Sequence, residues 1–292
     1  MRHLLKTLRA ARAINVPLTG LTRFALRVAR REPRFAAKHL PRVGTTRAKL
    51  PDGSPLVLRS RGDDWVSNQV FWHDWSGYEP ELSALFWESA TEAAVTIDVG
   101  AHVGFYALLA ARANPAGRVF AFEPLEATFG RLRRNLSLNG VENVEAVQAA
   151  AGATDARLPL FRTDAEVPCS ASLSREFMVE EHARTHAIGE VYVPVVELDS
   201  FLKERTVDRL DLVKIDVDGY EAEVLSGLRD TIARDRPTIF CEVTSESGAI
   251  TIAHDLRPLG YRFHLLTDEG PQERDSVEPD ERWTNQLFAT SE

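Results

Sequence analysis

From Ala94 onward, short runs of β-branched and aromatic residues alternate with stretches of helical periodicity. That alternation constrains the fold more than any other feature, because repeated βαβ units close onto a parallel sheet with helices packed on its faces. Strands are predicted at Ala94 to Val99, Arg118 to Phe122, Val144 to Ala150, Leu210 to Val217 and Pro237 to Val243, with closing strands at Tyr261 to Leu266 and Thr284 to Thr290. Helices are predicted near Val103 to Ala113 and over Leu125 to Asn139, the latter closed by Gly140. The expected domain over 94–292 is therefore doubly wound α/β with a mostly parallel, seven-stranded sheet. An irregular segment, Arg162 to Glu190, interrupts the alternation and is expected to cover the carboxyl edge of the sheet.

With 292 residues, 44% of them hydrophobic, the chain can bury one substantial core plus an appendage. The longest apolar candidate, around Ala93 to Ala113, is broken by Asp98, His102 and Arg112, so no membrane span is expected. Cys169 and Cys241 show no metal-ligand spacing, and a cleavable hydrophobic leader is not expected. A reduced, cytoplasmic protein is the expectation.

Charge divides the chain. Residues 1–50 hold 13 Lys and Arg against the single acid Glu32, a charge of +12 that leaves −20 on the remainder of a chain whose net charge is −8. This basic lead, 1–50, is expected to be a helical extension, with Leu4, Leu5, Leu8, Leu21, Phe24, Ala25 and Val28 at near-helical spacing. Its helices are expected to dock on the catalytic domain, with peripheral contact to an anionic membrane surface as the alternative. Nucleic acid is not an expected partner, since the basic stretch lacks interleaved aromatics.

The strongest local signal is Thr96-Ile-Asp-Val-Gly-Ala-His-Val-Gly-Phe-Tyr106, a strand passing through a glycine turn into a helix. Gly100 and Gly104 permit close approach of the backbone to a ligand. The spacing is GxxxG beside the carboxylate of Asp98, whereas a dinucleotide site needs GxGxxG aimed at a pyrophosphate. An acid there repels phosphate but suits S-adenosylmethionine, which carries an ammonium group. Glu123, at the tip of the next strand and nineteen residues after Gly104, can accept both ribose hydroxyls.

A second concentration of acids follows the fourth strand, in Lys214-Ile-Asp-Val-Asp-Gly-Tyr-Glu221, with Glu242 at the tip of the fifth. Asp216 and Asp218 are expected on one side of an extended strand, with Glu221 opening a helix. Acids at two adjacent strand tips can orient an acceptor hydroxyl, take its proton or hold a divalent metal. Metal dependence is not favoured, because no full ligand set can be counted. Between the basic lead and the first strand, segment 51–93 carries the aromatic-rich stretch Trp65 to Pro80. It is read either as a lid whose Trp72 and Tyr78 wall the substrate or as an apolar plug, with His73 as a candidate general base.

Taken in order, Asp98-Val-Gly-Ala-His-Val-Gly104, Phe122-Glu-Pro124, Lys214-Ile-Asp-Val-Asp-Gly219 and Cys241-Glu242 resemble the FkbM-type family of S-adenosylmethionine-dependent methyltransferases, over roughly Asp64 to Phe288. Ser170-Ala-Ser-Leu173 and Asn285-Gln-Leu-Phe288 look like further family features, while Asp218 stands where the family usually has glutamate. The resemblance implies a Rossmann-like class I methyltransferase fold and an acceptor hydroxyl on a sugar, glycolipid or secondary metabolite. It implies that Asp98, Gly100, Ala101, His102 and Gly104 shape the cofactor turn, with Asp98 near the methionine moiety and Glu123 on the ribose. It also implies that the adenine lies around Ala149 to Gly152, with Ala150 as the cofactor contact, and that Asp216 and Glu242 face the transferred methyl; Asp218 and Glu221 are separate candidates for acceptor contact. The alternatives are a nicotinamide oxidoreductase on a similar fold and a non-catalytic cofactor-binding partner protein.

Overall fold

The computed structural model describes residues 12–165, 168 and 170–290. Leu4, Leu5, Leu8 and Cys169 lie outside them. The chain packs as two compact units, one reaching to Pro80 and taking in Arg134–Gly140, the other comprising Glu81–Arg133 and the chain from Val141 onward.

The first unit contains α1 (Arg12–Val28), α2 (Arg34–His39), a hairpin of β1 (Val43–Lys49) and β2 (Pro55–Arg61), and α3 (Trp65–His73). Asp64 caps α3 by accepting from the Ser67 N–H at 2.7 Å, satisfying one of the donors a helix start leaves open. The outer edge of β2 is closed by side chains in place of a strand. Asn139 both accepts from Val57 N–H and donates to Val57 O, and Asn135 accepts from Arg59 N–H.

The second unit begins with α4 (Pro80–Glu92), β3 (Val95–Val99), α5 (Phe105–Ala113), β4 (Arg118–Phe122), α6 (Glu126–Asn139), of which the part from Arg134 on counts with the first unit, and β5 (Val144–Val147). After these come β6 (Ala150–Gly152), β7 (Ala156–Thr163), β8 (Ala171–Ser172), α7 (Arg175–His182), β9 (Ile188–Glu197) and α8 (Leu198–Glu204). The unit ends with β10 (Leu212–Ile215), α9 (Glu221–Ser226), α10 (Arg229–Asp235), β11 (Thr238–Glu242), α11 (Glu246–Leu256), β12 (Tyr261–Thr267), β13 (Gly270–Arg274) and β14 (Asn285–Thr290). The main sheet runs β13-β12-β14-β11-β10-β3-β4-β5. Its five strands from β11 to β5 are parallel, and β14, β12 and β13 are antiparallel to their neighbours. The expected doubly wound α/β architecture is present, with eight strands rather than seven. The extra one, β13, is a mostly polar hairpin arm on the sheet edge, which no apolar run announces.

The parallel strands β11, β10, β3 and β4 are buried on both faces, which is why they read as near-continuous apolar runs. On one face Ile97, Val99, Phe120, Val213, Ile215 and Ile239 pack with Phe201, Leu225, Ile232 and Ile252 from α8 to α11. On the other, Phe86 of α4 meets Tyr106 and Phe240 edge to face. Each such aromatic contributes about 1.5–3 kcal/mol by burial.

Two sequence expectations change. The strand predicted as Val144 to Ala150 stops at Val147, and Ala150 opens β6 in a separate four-stranded sheet ordered β6-β9-β7-β8. Exposed Gln148 separates the two pieces. The segment read as irregular holds β8, α7 and the start of β9, and β9 pairs antiparallel with β7. Pairing across so long a loop is a nonlocal contact that local periodicity does not register. Among the described residues, no helix is long and apolar enough to cross a membrane.

Candidate active site at the carboxyl edge of the sheet

The chain winds from β3 outward to β4 and β5, then returns to β10 on the other side of β3. The carboxyl ends of β3 and β10 therefore flank a topological switch point, where ligands bind in open α/β sheets. Register sets what stands there. Val99 pairs with Phe122 and with Ile215, and Ile215 pairs with Cys241. The next residue of each strand thus falls in one row along the edge: Glu123, Gly100, Asp216, Glu242.

The glycine turn is tight for an internal reason. Gly100 has φ +81°, and a Cβ on it would stand 1.8 Å from the Asp216 carbonyl oxygen. Gly104, with φ +90°, would meet Leu132 Cδ1 at 2.5 Å. Both glycines are thus required by the close approach of Asp216 and Leu132 within the chain itself. His102 is also left-handed, with φ +49°. The turn is pinned by the Gly100 and Ala101 N–H groups donating to Phe122 O.

Glu123 is buried at the tip of β4. Its Oε2 accepts from His102 N–H at 3.1 Å and its Oε1 from Leu125 N–H at 2.8 Å. Burial pushes its pKa up to about 8, against those two hydrogen bonds and with the Asp98 charge adding to the rise. Asp98 is buried in β3, paired in register with Lys214.

At the end of β10, the fully buried Lys214 places Nζ 3.3 Å from Asp216 Oδ2 and 5.4 Å from the centre of the Tyr106 ring. Asp216 remains 27% exposed, so a ligand can reach it. Burial would raise its pKa, but the Lys214 charge and a hydrogen bond from Glu242 hold it below the ordinary value. Glu242 moves the other way: burial, then the Asp216 charge, raise it well above the carboxylate range. The Lys214 charge and the shared hydrogen bond therefore favour the proton on Glu242 over Asp216. Thr284 Oγ1 donates to Glu242 Oε1 at 2.7 Å. Thr284 was not singled out from the sequence, since its approach depends on β14 lying antiparallel to β11.

Asp218 and Glu221 do not continue the row. β10 ends at Ile215 and Asp218 has φ +57°, so the chain has already left the extended conformation that would have put Asp216 and Asp218 on one side. Asp218 Oδ2 accepts from Ser170 Oγ at 2.7 Å and from Ala171 N–H at 3.1 Å, tying the β8 segment to the strand tip. Glu221, buried at the first turn of α9, accepts from Gly219 N–H at 2.8 Å. Burial raises both to about 7, with the Asp216 charge contributing. Both candidates for acceptor contact are thus engaged by the chain's own donors. Ala150 is buried in β6.

The remaining candidates belong to the first unit. Trp72 is buried with Phe71, Ala36 and Ala37 and donates its indole N–H to Leu40 O at 3.2 Å, so of the two readings, substrate wall or apolar plug, it is apolar core, within its own unit. Tyr78 is half-buried just beyond α3. His73 is exposed at the last turn of α3, and partial desolvation lowers its pKa. Among the described residues, no group of three or more His, Cys, Asp and Glu is disposed to hold a metal ion.

The sequence model of a family described as Methyltransferase FkbM domain matches residues 98–263, which include the glycine turn and the strand-tip acids Glu123, Asp216 and Glu242. The chain is 34% identical over 145 residues to Methyltransferase 1 of Beauveria bassiana, covering 46% of this chain and 58% of that one. It is 27% identical over 197 residues to the 31-O-demethyl-FK506 methyltransferase FkbM of Streptomyces tacrolimicus, covering 61% and 75%. To the hexuronic acid methyltransferase AglP of Haloferax volcanii it is 27% identical over 159 residues, covering 53% and 58%. The chain spans a little over half the length of the first of these relatives.

Proposed function

Since the chain belongs to the FkbM methyltransferase family, we propose that it transfers the methyl group of S-adenosylmethionine to a hydroxyl oxygen of a small-molecule or glycan acceptor. The observation that carries this reading is the row Glu123, Gly100, Asp216, Glu242 at the switch point of the sheet.

The residues present suit that cofactor. A buried carboxylate with a pKa near 8 gains from additional hydrogen-bond donors, and two ribose hydroxyls would provide them to Glu123. The acids Asp98 and Asp216 favour an ammonium group and would repel a pyrophosphate. This supports S-adenosylmethionine over a nicotinamide dinucleotide. When bound, the cofactor supplies a sulfonium methyl open to in-line attack.

Asp216 is the group we assign to the acceptor: ionised and partly exposed, it can orient a hydroxyl and accept its proton as the oxygen attacks. Glu242 holds the neighbouring proton, and Thr284 and Lys214 fix the pair. Alignment is the larger part of such catalysis, because it removes the entropy of bringing two partners together. A hydroxyl acceptor accords with the relative named for a 31-O-demethyl substrate, and a glycan with the one named for hexuronic acid.

Calorimetric titration with S-adenosylhomocysteine, with NAD as control, tests the reading. Micromolar binding that Glu123→Ala weakens, without NAD binding, is the expected result. Folded protein that binds NAD and not S-adenosylhomocysteine would overturn it.

A further inference from the structure

The helix α1 is turned opposite to an ordinary surface helix. Its fully buried residues are polar, Asn15 at 1% exposed and Thr19 at 0%, while Leu26 packs half-buried against the Phe71 and Trp72 cluster. Asn15 Nδ2 donates to Pro41 O at 2.8 Å, and its Oδ1 accepts from Val43 N–H at 2.8 Å. The Arg42 guanidinium donates to Thr19 Oγ1 at 2.7 Å and to Val16 O at 2.9 Å. Arg23 and Arg27 face Asp74 at 3.8 and 3.3 Å. These contacts fix the roll of the helix about its axis.

The opposite face is apolar and open. Ile14, Leu18, Leu21, Phe24 and Val28 fall at intervals of three and four, so they form one stripe. Leu21, Phe24 and Val28 are 69, 68 and 69% exposed, and Phe35 at the start of α2 is 76% exposed. Rolling the stripe inward would break the Asn15, Thr19 and Arg42 hydrogen bonds and bury donors and acceptors without partners.

Charge says what this face suits. Arg12, Arg27, Arg30 and Arg31 are exposed around the stripe, and Glu32 is the only acid in residues 1–50. In sequence, residues 1–11 continue the same mixture, with Arg2, Lys6 and Arg9 among Leu4, Leu5 and Leu8. An amphipathic helix with an exposed apolar stripe and basic flanks has the composition of one that lies in a membrane interface, its apolar side among acyl chains and its cations at anionic headgroups. We propose that α1 docks this protein on an anionic membrane surface through the stripe from Ile14 to Val28. The proposal stands independently of the methyl-transfer reading, and its test has no catalytic readout.

The test is co-sedimentation of the full chain with phosphatidylcholine vesicles, with and without about 30% phosphatidylglycerol. Binding to the anionic vesicles is expected, at least about tenfold weaker on neutral ones and weaker at high salt. Leu21→Glu with Phe24→Glu should reduce binding at least about tenfold, and so should Arg30→Glu with Arg31→Glu. All four positions are exposed, so thermal melting should show the variants folded. Absence of wild-type binding to anionic vesicles at low salt would overturn the proposal. So would binding indifferent to the Leu21 and Phe24 changes, which would be adsorption by charge alone. Sedimentation showing a dimer that the Leu21 and Phe24 pair of changes dissociates would overturn it in favour of a second copy covering the stripe.

Discussion

Lys214 Nζ stands 3.3 Å from Asp216 Oδ2, on a side chain with no exposed surface. Lys214 lies in β10 and Asp216 just past its end, two residues on, and the pairing favours the ionised form of Asp216 beside the protonated form of Glu242. Removing one member of a buried pair leaves the other charge uncompensated, which costs more than the pair contributes. Asp216→Asn is therefore expected to lower stability by about 1–3 kcal/mol, discounted for the partial exposure of Asp216. Adding Lys214→Met should recover part of the loss in urea unfolding. Methyl transfer by Asp216→Asn should fall at least about a hundredfold, with S-adenosylhomocysteine affinity nearly unchanged.

Binding of S-adenosylhomocysteine should release a proton. Ligand-free Glu123 titrates near 8 and so is mostly protonated at pH 7. Donors from the ribose would favour its ionised form. Calorimetry at pH 7 in buffers of different ionisation enthalpy should show close to one proton released, falling away above about pH 9. In Glu123→Ala the release should vanish and affinity drop about 10–100-fold.

The same burial makes stability fall with rising pH. Glu123, Asp218 and Glu221 are raised from 4.5, 3.8 and 4.5 to about 8, 7 and 7, so the folded state holds protons that the unfolded chain has lost. Their contribution is fully present below about pH 4 and is lost as pH rises through 7 to 8. Asp216, depressed, acts in the opposite sense and only at acid pH. Ligand-free protein should therefore show a falling melting temperature between pH 6 and 8.5, and a rise there would contradict the burial of these acids.

Two glycines should respond in opposite ways to alanine. At Gly100 a Cβ would collide with the Asp216 carbonyl in a left-handed backbone, so Gly100→Ala should cost about 3 kcal/mol or more or prevent folding. Gly130 lies exposed in α6 with nothing within 4 Å of an added Cβ, and Gly130→Ala should stabilise by about 0.5–1 kcal/mol. Denaturant unfolding of the two variants checks both.

Asp218 holds the β8 segment through Ser170 and Ala171. Asp218→Ala should speed hydrogen exchange at Ala171 and its neighbours while changing S-adenosylhomocysteine affinity less than about threefold. A large loss of affinity with unchanged exchange would make Asp218 a ligand contact instead.

What the sequence determined by itself was whatever is local. The strand-turn-helix from Val95 to Ala113, the positions of the parallel strands along the chain, and acids placed just past the apolar runs at Glu123, Asp216 and Glu242 are legible because buried parallel strands must be apolar throughout and must end where polarity begins. The family follows from those same motifs. Tertiary structure decided whatever depends on register or on residues far apart in sequence. Only the pairing of Ile215 with both Val99 and Cys241 brings Asp216 beside Gly100 and Glu242. Only the antiparallel β14 brings Thr284 to Glu242, and only the turn at Asp218 sends that carboxylate to Ser170. The spacing of α1 likewise showed an apolar stripe but not its direction. That was decided by Asn15 and Thr19, whose hydrogen bonds to the Pro41 to Val43 backbone and to Arg42 draw the polar face inward, because an unmet buried hydrogen bond costs more than an exposed leucine.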